Sequence, residues 1–227
     1  METASEGLSS SAIRQHTAGA DVRLTRTTLS LAVDDLAARD RGLARIVTRH
    51  GPPPLWARPT GFPTLVRIIL EQQVSLTAAR TLFRRVAEQL PGGMTPAAVV
   101  TTGAPGLRAL GMTRQKARYV STLGAYIQQG ELALPRLSRL PDVDAAAYLE
   151  RVPGIGPWTS SIYLLMALRR PDVWPPGDLA LHKALARLRR LPELPTAERA
   201  TLLARRWTPY RAVAARILWH GYLAERA

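Results

Sequence analysis

The sequence contains no cysteine. That excludes disulfides, a thiol nucleophile, a thiolate-ligated zinc site and an iron–sulfur cluster. Histidine is scarce, and His16, His50, His182 and His220 stand far apart without ligand spacing, which argues against a histidine metal site. No run approaches the roughly 18–20 apolar residues of a membrane-spanning helix; the longest, Ser160 to Leu168, is about half that. The N-terminus lacks the basic-then-apolar pattern of a secretory signal, so a cytoplasmic location and no membrane partner are expected. Lysine is almost missing, occurring only as Lys116 and Lys183.

What is present is arginine. Lys and Arg together number 31 against 17 acidic residues, a formal net charge of +14 in 227 residues. Such a surplus attracts polyanions at long range and pairs well with phosphates. A genome rich in Arg and Ala codons would give the same excess, so charge alone points to nucleic acid without establishing it. With 46% hydrophobic residues the chain has enough apolar material for a proper core.

Residues 1–20, rich in Ser, Ala, Gly and Thr, read as a flexible tail. From Val22 to Val33 β-branched and polar residues alternate, which predicts a short strand or an extended segment. Helical periodicity begins at Asp34 and continues to Thr48. Beyond a proline-rich connector at 51–63, further helices are predicted over 63–70, 76–89, 95–101, 105–110, 114–129, 144–151, 159–169, 178–190, 196–206 and 209–224, divided by Gly and Pro. The helix starting at Thr159 is apolar nearly all round and should be buried. No βαβ alternation occurs. The expected fold is all-α, with two helical lobes at roughly 62–170 and 24–61 plus 171–227, a cleft between them, and a monomeric state.

The most informative segment is LERVPGIGPWT, Leu149 to Thr159. Two glycines two apart, preceded by proline and flanked by helices, make a tight turn whose backbone can approach a ligand. The turn ends where a helix begins, and the unpaired amides and positive dipole end there favour an anion such as phosphate. A bare Gly-x-Gly is more often no more than a sharp helix–helix turn. The whole string, with Leu149 and Val152 anchoring the first helix and a small-residue start to the second, resembles the helix-hairpin-helix DNA-binding motif. Gly154, Ile155, Gly156 and Thr159 are its candidate backbone contacts. Lys183 is another, or simply solvated surface.

Twenty-two residues after Gly156 stands Asp178, in PPGDLAL. By itself it reads as a helix N-cap after a proline-rich loop. Helix-hairpin-helix DNA glycosylases carry a catalytic aspartate at this place in the chain order, after the hairpin, one helix and a loop. GFPTLVRIILEQQVS, Gly61 to Ser75, resembles their segment that fills the gap left by a flipped base, and the stretch from Trp207 to His220 resembles their C-terminal helix. The similarity covers roughly residues 55–222 and is nearest to the 3-methyladenine DNA glycosylase II branch.

The resemblance implies a monofunctional enzyme that excises alkylated bases from double-stranded DNA in base excision repair. Asp178 would be catalytic, Gln73 the wedge, and Trp158 and Trp219 aromatic walls of the base pocket, although Trp219 could equally be core. Bifunctional members carry a Schiff-base lysine where this chain has Trp158, so no lyase step is expected. No cofactor is required, but the carbonyls of Glu150, Val152 and Ile155 match positions that hold Na+ or K+ in relatives. Two departures stand out. Only about 55 residues precede the matching region, so the extra N-terminal β-rich domain of better-known bacterial members is expected to be truncated or absent. Leu179 and His220 replace aromatics, which suggests a wider pocket and different accepted lesions. The rival readings are a non-catalytic helix-hairpin-helix DNA-binding protein and a glycosylase for another lesion class.

Overall fold

The computed structural model describes residues 23–226, so the expected tail at 1–20 lies outside the described residues. Among these residues there are helices and no strands. In chain order they are α1 (Arg26–Arg39), α2 (Arg41–His50), α3 (Phe62–Glu71), α4 (Leu76–Gln89), α5 (Pro96–Ala109), α6 (Arg114–Gln128), α7 (Asp142–Glu150), α8 (Pro157–Met166), α9 (Leu179–Arg189), α10 (Ala197–Ala204) and α11 (Arg211–Ala224). Short 3-10 turns follow α6 and α10.

The chain forms two compact units. One holds the described residues up to Leu55, Arg170–Trp174 and everything from Asp178 onward; the other is Trp56–Arg169 with Pro175–Gly177. The connector at 56–61 groups with the second unit, although the sequence pattern assigns it to the lobe at 24–61.

In the first unit α11 is the central element, contacting α1, α2 and α9. Its run from Ala212 to Trp219 is buried throughout, as a helix without a polar face must be. Even Arg216 is fully enclosed, and it donates Nε to the Leu55 carbonyl and Nη1 to the Ala212 carbonyl. In the second unit α3 and α8 hold the middle, with Leu65, Val66, Ile68 and Ile69 of α3 wholly buried.

Two sequence expectations fail at the N-terminal end. The segment read as extended is largely α1, because Thr25 and Thr28 form a reciprocal capping box and Leu29, Ala32, Val33 and Leu36 share one buried face. The helix expected over 34–48 is broken at Asp40. There the backbone is extended, and the carboxylate accepts the amides of Gly42 and Leu43 at 3.0 and 3.3 Å, starting α2 afresh.

Asp40 is also an electrostatic hub. Its Oδ2 accepts Trp207 Nε1 at 2.8 Å and pairs with Arg189, whose guanidinium lies 5.5 Å from the centre of the Trp207 ring. Burial works to raise its pKa, but the hydrogen bonds from Trp207 and Arg189, the Arg189 charge and the Leu43 amide together hold it below its ordinary value. A depressed carboxylate contributes stability that is present above the unfolded-state pKa and lost as pH falls through the folded one. Asp40→Asn is expected to cost roughly 2–4 kcal/mol, because it strands the Arg189 charge. Thermal melts should show a lower Tm for the variant at neutral pH, with the gap closing in acid.

Candidate nucleic-acid interface and carboxylate site

The hairpin lies in the second unit, between α7 and α8. Ile155 closes the turn by donating its amide to the Val152 carbonyl at 3.0 Å, and its side chain is buried. Among the described residues no acceptor takes the amides of Gly154 or Gly156. Helix α8 begins at Pro157 with no side-chain cap. An uncapped helix start beside two amides without acceptors is a ready anion site.

The two glycines serve different ends. Gly154 has φ +97°, and a Cβ there would lie 2.3 Å from Tyr119 Cγ, so the fold itself requires it. Gly156 has φ −101° and ψ −177°, and a Cβ there would meet nothing within 4 Å. The fold would accept a side chain at 156; the space it would fill is open to solvent and to a ligand.

Two of the expected phosphate contacts need correction. Thr159 is buried, and its hydroxyl accepts Gln72 Nε2 at 2.9 Å, so this side chain faces the interior. Ile155 has its amide committed within the turn, leaving only its carbonyl. Lys183, in the first unit, is half-buried on α9 and has no hydrogen-bonding or ionic partner among the described residues.

Gln72 was missed by the sequence reading. Its amide group donates to the Gly154 carbonyl as well as to Thr159, both at 2.9 Å, stitching the turn after α3 to the hairpin. Beside it Gln73 is exposed with φ +57°, and Val74 and Leu76 are exposed too. A left-handed backbone is unfavourable for glutamine and persists only where neighbours impose it. Lys116 contributes to that support by donating Nζ to the Leu70 carbonyl at 2.7 Å, and burial lowers its pKa. Glu71, also buried, takes Arg58 at 2.8 and 3.0 Å and Arg67 at 3.2 Å. The rarity of lysine was the one available sign that Lys116 had a special position. Trp158, at the start of α8, is half-exposed.

In the first unit Asp178 is the N-cap of α9: its Oδ1 accepts the Leu181 amide at 2.9 Å. The same oxygen accepts Trp219 Nε1 at 3.1 Å. The indole thus helps to fix the carboxylate, a role not foreseen for a residue expected as a pocket wall, and Trp219 is largely buried. Leu179, next to Asp178, is 59% exposed, so an apolar surface adjoins the carboxylate. His220 is corrected. Its Nε2 pairs with the His50 carbonyl at 2.9 Å, turning the ring to the end of α2 and making it a junction residue.

The helix-hairpin-helix order, hairpin then helix then loop then aspartate, has a family counterpart. Residues 66–209 match the model of the HhH-GPD superfamily base excision DNA repair proteins. The chain belongs to this superfamily. Among relatives, the HhH-GPD chain is 29% identical to YfjP of Bacillus subtilis over 79% of its own length and 65% of that protein's. It is 31% identical to DNA-3-methyladenine glycosylase 2 of Escherichia coli, covering 70% of this chain and 57% of that one. With DNA-3-methyladenine glycosylase 1 of Schizosaccharomyces pombe the identity is 26%, over 85% and 87%. The structure of 3-methyladenine DNA glycosylase from that yeast, in complex with abasic DNA, superposes with a TM-score of 0.75, covering 83% of this chain and 94% of that one.

Proposed function

We propose that this chain is a monofunctional DNA glycosylase that hydrolyses the N-glycosidic bond of alkylated bases in double-stranded DNA, opening base excision repair. The observation that carries the reading is the carboxylate of Asp178, held at the start of α9 by a main-chain amide and the Trp219 indole N–H. The target base is unreachable inside a duplex, so its nucleotide has to be flipped out. As the bond between sugar C1′ and base nitrogen breaks, the electron pair leaves with the base and positive charge develops on the sugar. Asp178 stabilises that charge, and water then adds at C1′ and gives up a proton to solvent, leaving an abasic site. An N-alkylated purine is already cationic, so it departs as a neutral base with little acid assistance. Trp158 is the candidate aromatic wall for such a cation. With tryptophan rather than lysine at 158 there is no amine to attack the sugar, and the reaction stops at hydrolysis.

The amides of Gly154 and Gly156 take a backbone phosphate, and Lys183 supplies a further charge. The carbonyls of Glu150, Val152 and Ile155 fit a monovalent cation in donor chemistry, being neutral hard oxygens; Val152 keeps a second lone pair beyond the bond from Ile155. Bound there, Na+ or K+ would supply positive charge toward the phosphate. An enzyme that repairs the chromosome works in the cytoplasm, at the nucleoid where the cell is a prokaryote.

The test is base release from methylated duplex DNA, with abasic sites revealed by alkali. Release of 3-methyladenine supports the reading. No release from methylated, ethenoadenine- or hypoxanthine-containing duplexes would leave a DNA-binding protein without chemistry.

The wedge has its own expectation. Gln73→Gly relieves the left-handed strain, so stability should hold or rise by up to about 1 kcal/mol. Base release from duplex should fall roughly tenfold or more, because nothing fills the vacated stack. Release from single-stranded substrate should change far less.

A further inference from the structure

Away from the residues assigned above, α2, α9 and α11 of the first unit enclose a groove of about 290 Å3. Arg45, Arg49, Arg187 and Arg190 line it, with Glu225 as the acidic residue among them. Arg187 already holds Glu225, at 2.6 Å. Arg45, Arg49 and Arg190 are exposed, and among the described residues their guanidinium groups have no hydrogen-bonding or ionic partner.

Helix dipoles explain only part of this cluster. Arg49 and Arg187 sit in the last turns of α2 and α9, where the carbonyl ends favour cations. Arg45 lies in the middle of α2. Arg190 caps α9 with φ 51° and ψ 44°, a left-handed position that glycine would take without strain. Guanidinium groups gathered around one concavity repel one another until an anion occupies it. Each presents a planar fork matched to phosphate oxygens. The groove is also distinct from the carboxylate site, since Arg187 and Arg190 stand roughly 14–18 Å from Asp178 along the axis of α9.

We infer that this groove binds the phosphodiester backbone of DNA, without regard to sequence or damage, as a second contact face besides the Gly154–Gly156 turn. The inference rests on the reading of the chain as a DNA-binding enzyme. The phosphodiester comes either from a flanking stretch of the engaged duplex or from a second duplex.

The test is fluorescence anisotropy with an undamaged labelled duplex across a salt series. It compares the wild type, the triple variant Arg45→Gln/Arg49→Gln/Arg190→Gln, and a control of equal net charge, Arg136→Gln/Arg139→Gln/Arg199→Gln. The groove variant should lose roughly 2–3 from the slope of log affinity against log salt, and the control close to nothing. An equal loss in both, or none in the groove variant, overturns the inference, because the effect would then be diffuse charge or absent. Should the triple variant fold poorly, Arg45→Gln alone should lower the slope by about 1.

Dissociation in the presence of unlabelled duplex separates the two sources. Competitor-accelerated release in the wild type, missing in the groove variant, marks a second duplex; release independent of competitor marks flanking backbone. Single-turnover base release at saturating enzyme should be unaffected by the groove substitutions. A binding defect in a protein that releases no base at all would keep the groove and defeat the glycosylase reading.

Discussion

Asp178→Asn is expected to lower single-turnover base release by at least about 100-fold, roughly 3 kcal/mol of transition-state stabilisation, while leaving Tm and duplex affinity nearly unchanged. The substitution separates two roles that coincide at this residue. As the N-cap of α9, Asp178 accepts the Leu181 amide, and the same oxygen accepts the Trp219 indole. Asparagine caps helices about as well as aspartate and keeps a carbonyl oxygen for both donors. What it removes is the negative charge, which counts most when positive charge develops on the sugar. Alanine would be a poorer test, since losing the cap costs about 1 kcal/mol and would confuse folding with chemistry. Release by the asparagine variant within a fewfold of wild type would reduce Asp178 to a helix cap. The hydrolysis would then depend on another group.

The parts of this molecule that follow local rules were legible in its sequence. The apolar run after Pro157 gave the buried α8, and PPGD gave the start of α9 with Asp178 at its cap. Other features depend on side chains meeting across the chain, and no local pattern announces them. Thr25 and Thr28 suggest a strand by their branching, but bonded to each other they begin a helix. Asp40 breaks a helical periodicity because Arg189 and Trp207, far along the chain, hold its carboxylate in place. Thr159 carries the right chemistry for a phosphate, yet Gln72 takes its hydroxyl first. His220 stands where relatives carry an aromatic, which suggested a pocket residue; on a helix adjacent residues diverge by about 100°, and His220 meets the end of α2 instead. The groove arginines were visible only as part of a net charge, because their convergence requires three helices to pack.

The second large effect comes from the hairpin, where the two glycines should fail in opposite ways. Gly154→Ala is expected to cost about 3 kcal/mol or more. The new Cβ would fall 2.3 Å from Tyr119 Cγ at a φ of +97°, and neither the ring nor the backbone can yield cheaply. For a domain of this size that corresponds to a Tm lower by roughly 6–12 °C. Tyr119→Ala in the same chain should recover part of the loss by removing the clash, but not the part due to backbone conformation. Gly156→Ala should leave Tm unchanged or slightly raised, since alanine adopts φ −101° and ψ −177° freely and its Cβ meets open space. Its defect should appear in binding. A methyl group at that place pushes a phosphate from the neighbouring amides, and losing a hydrogen bond to a charged oxygen costs about 1.5–3 kcal/mol, a tenfold to hundredfold weaker complex. Thermal melts and anisotropy on both variants decide the matter. A Gly156→Ala protein that binds duplex as the wild type does would mean that nothing approaches this turn closely, and the anion site at the hairpin would have to be abandoned.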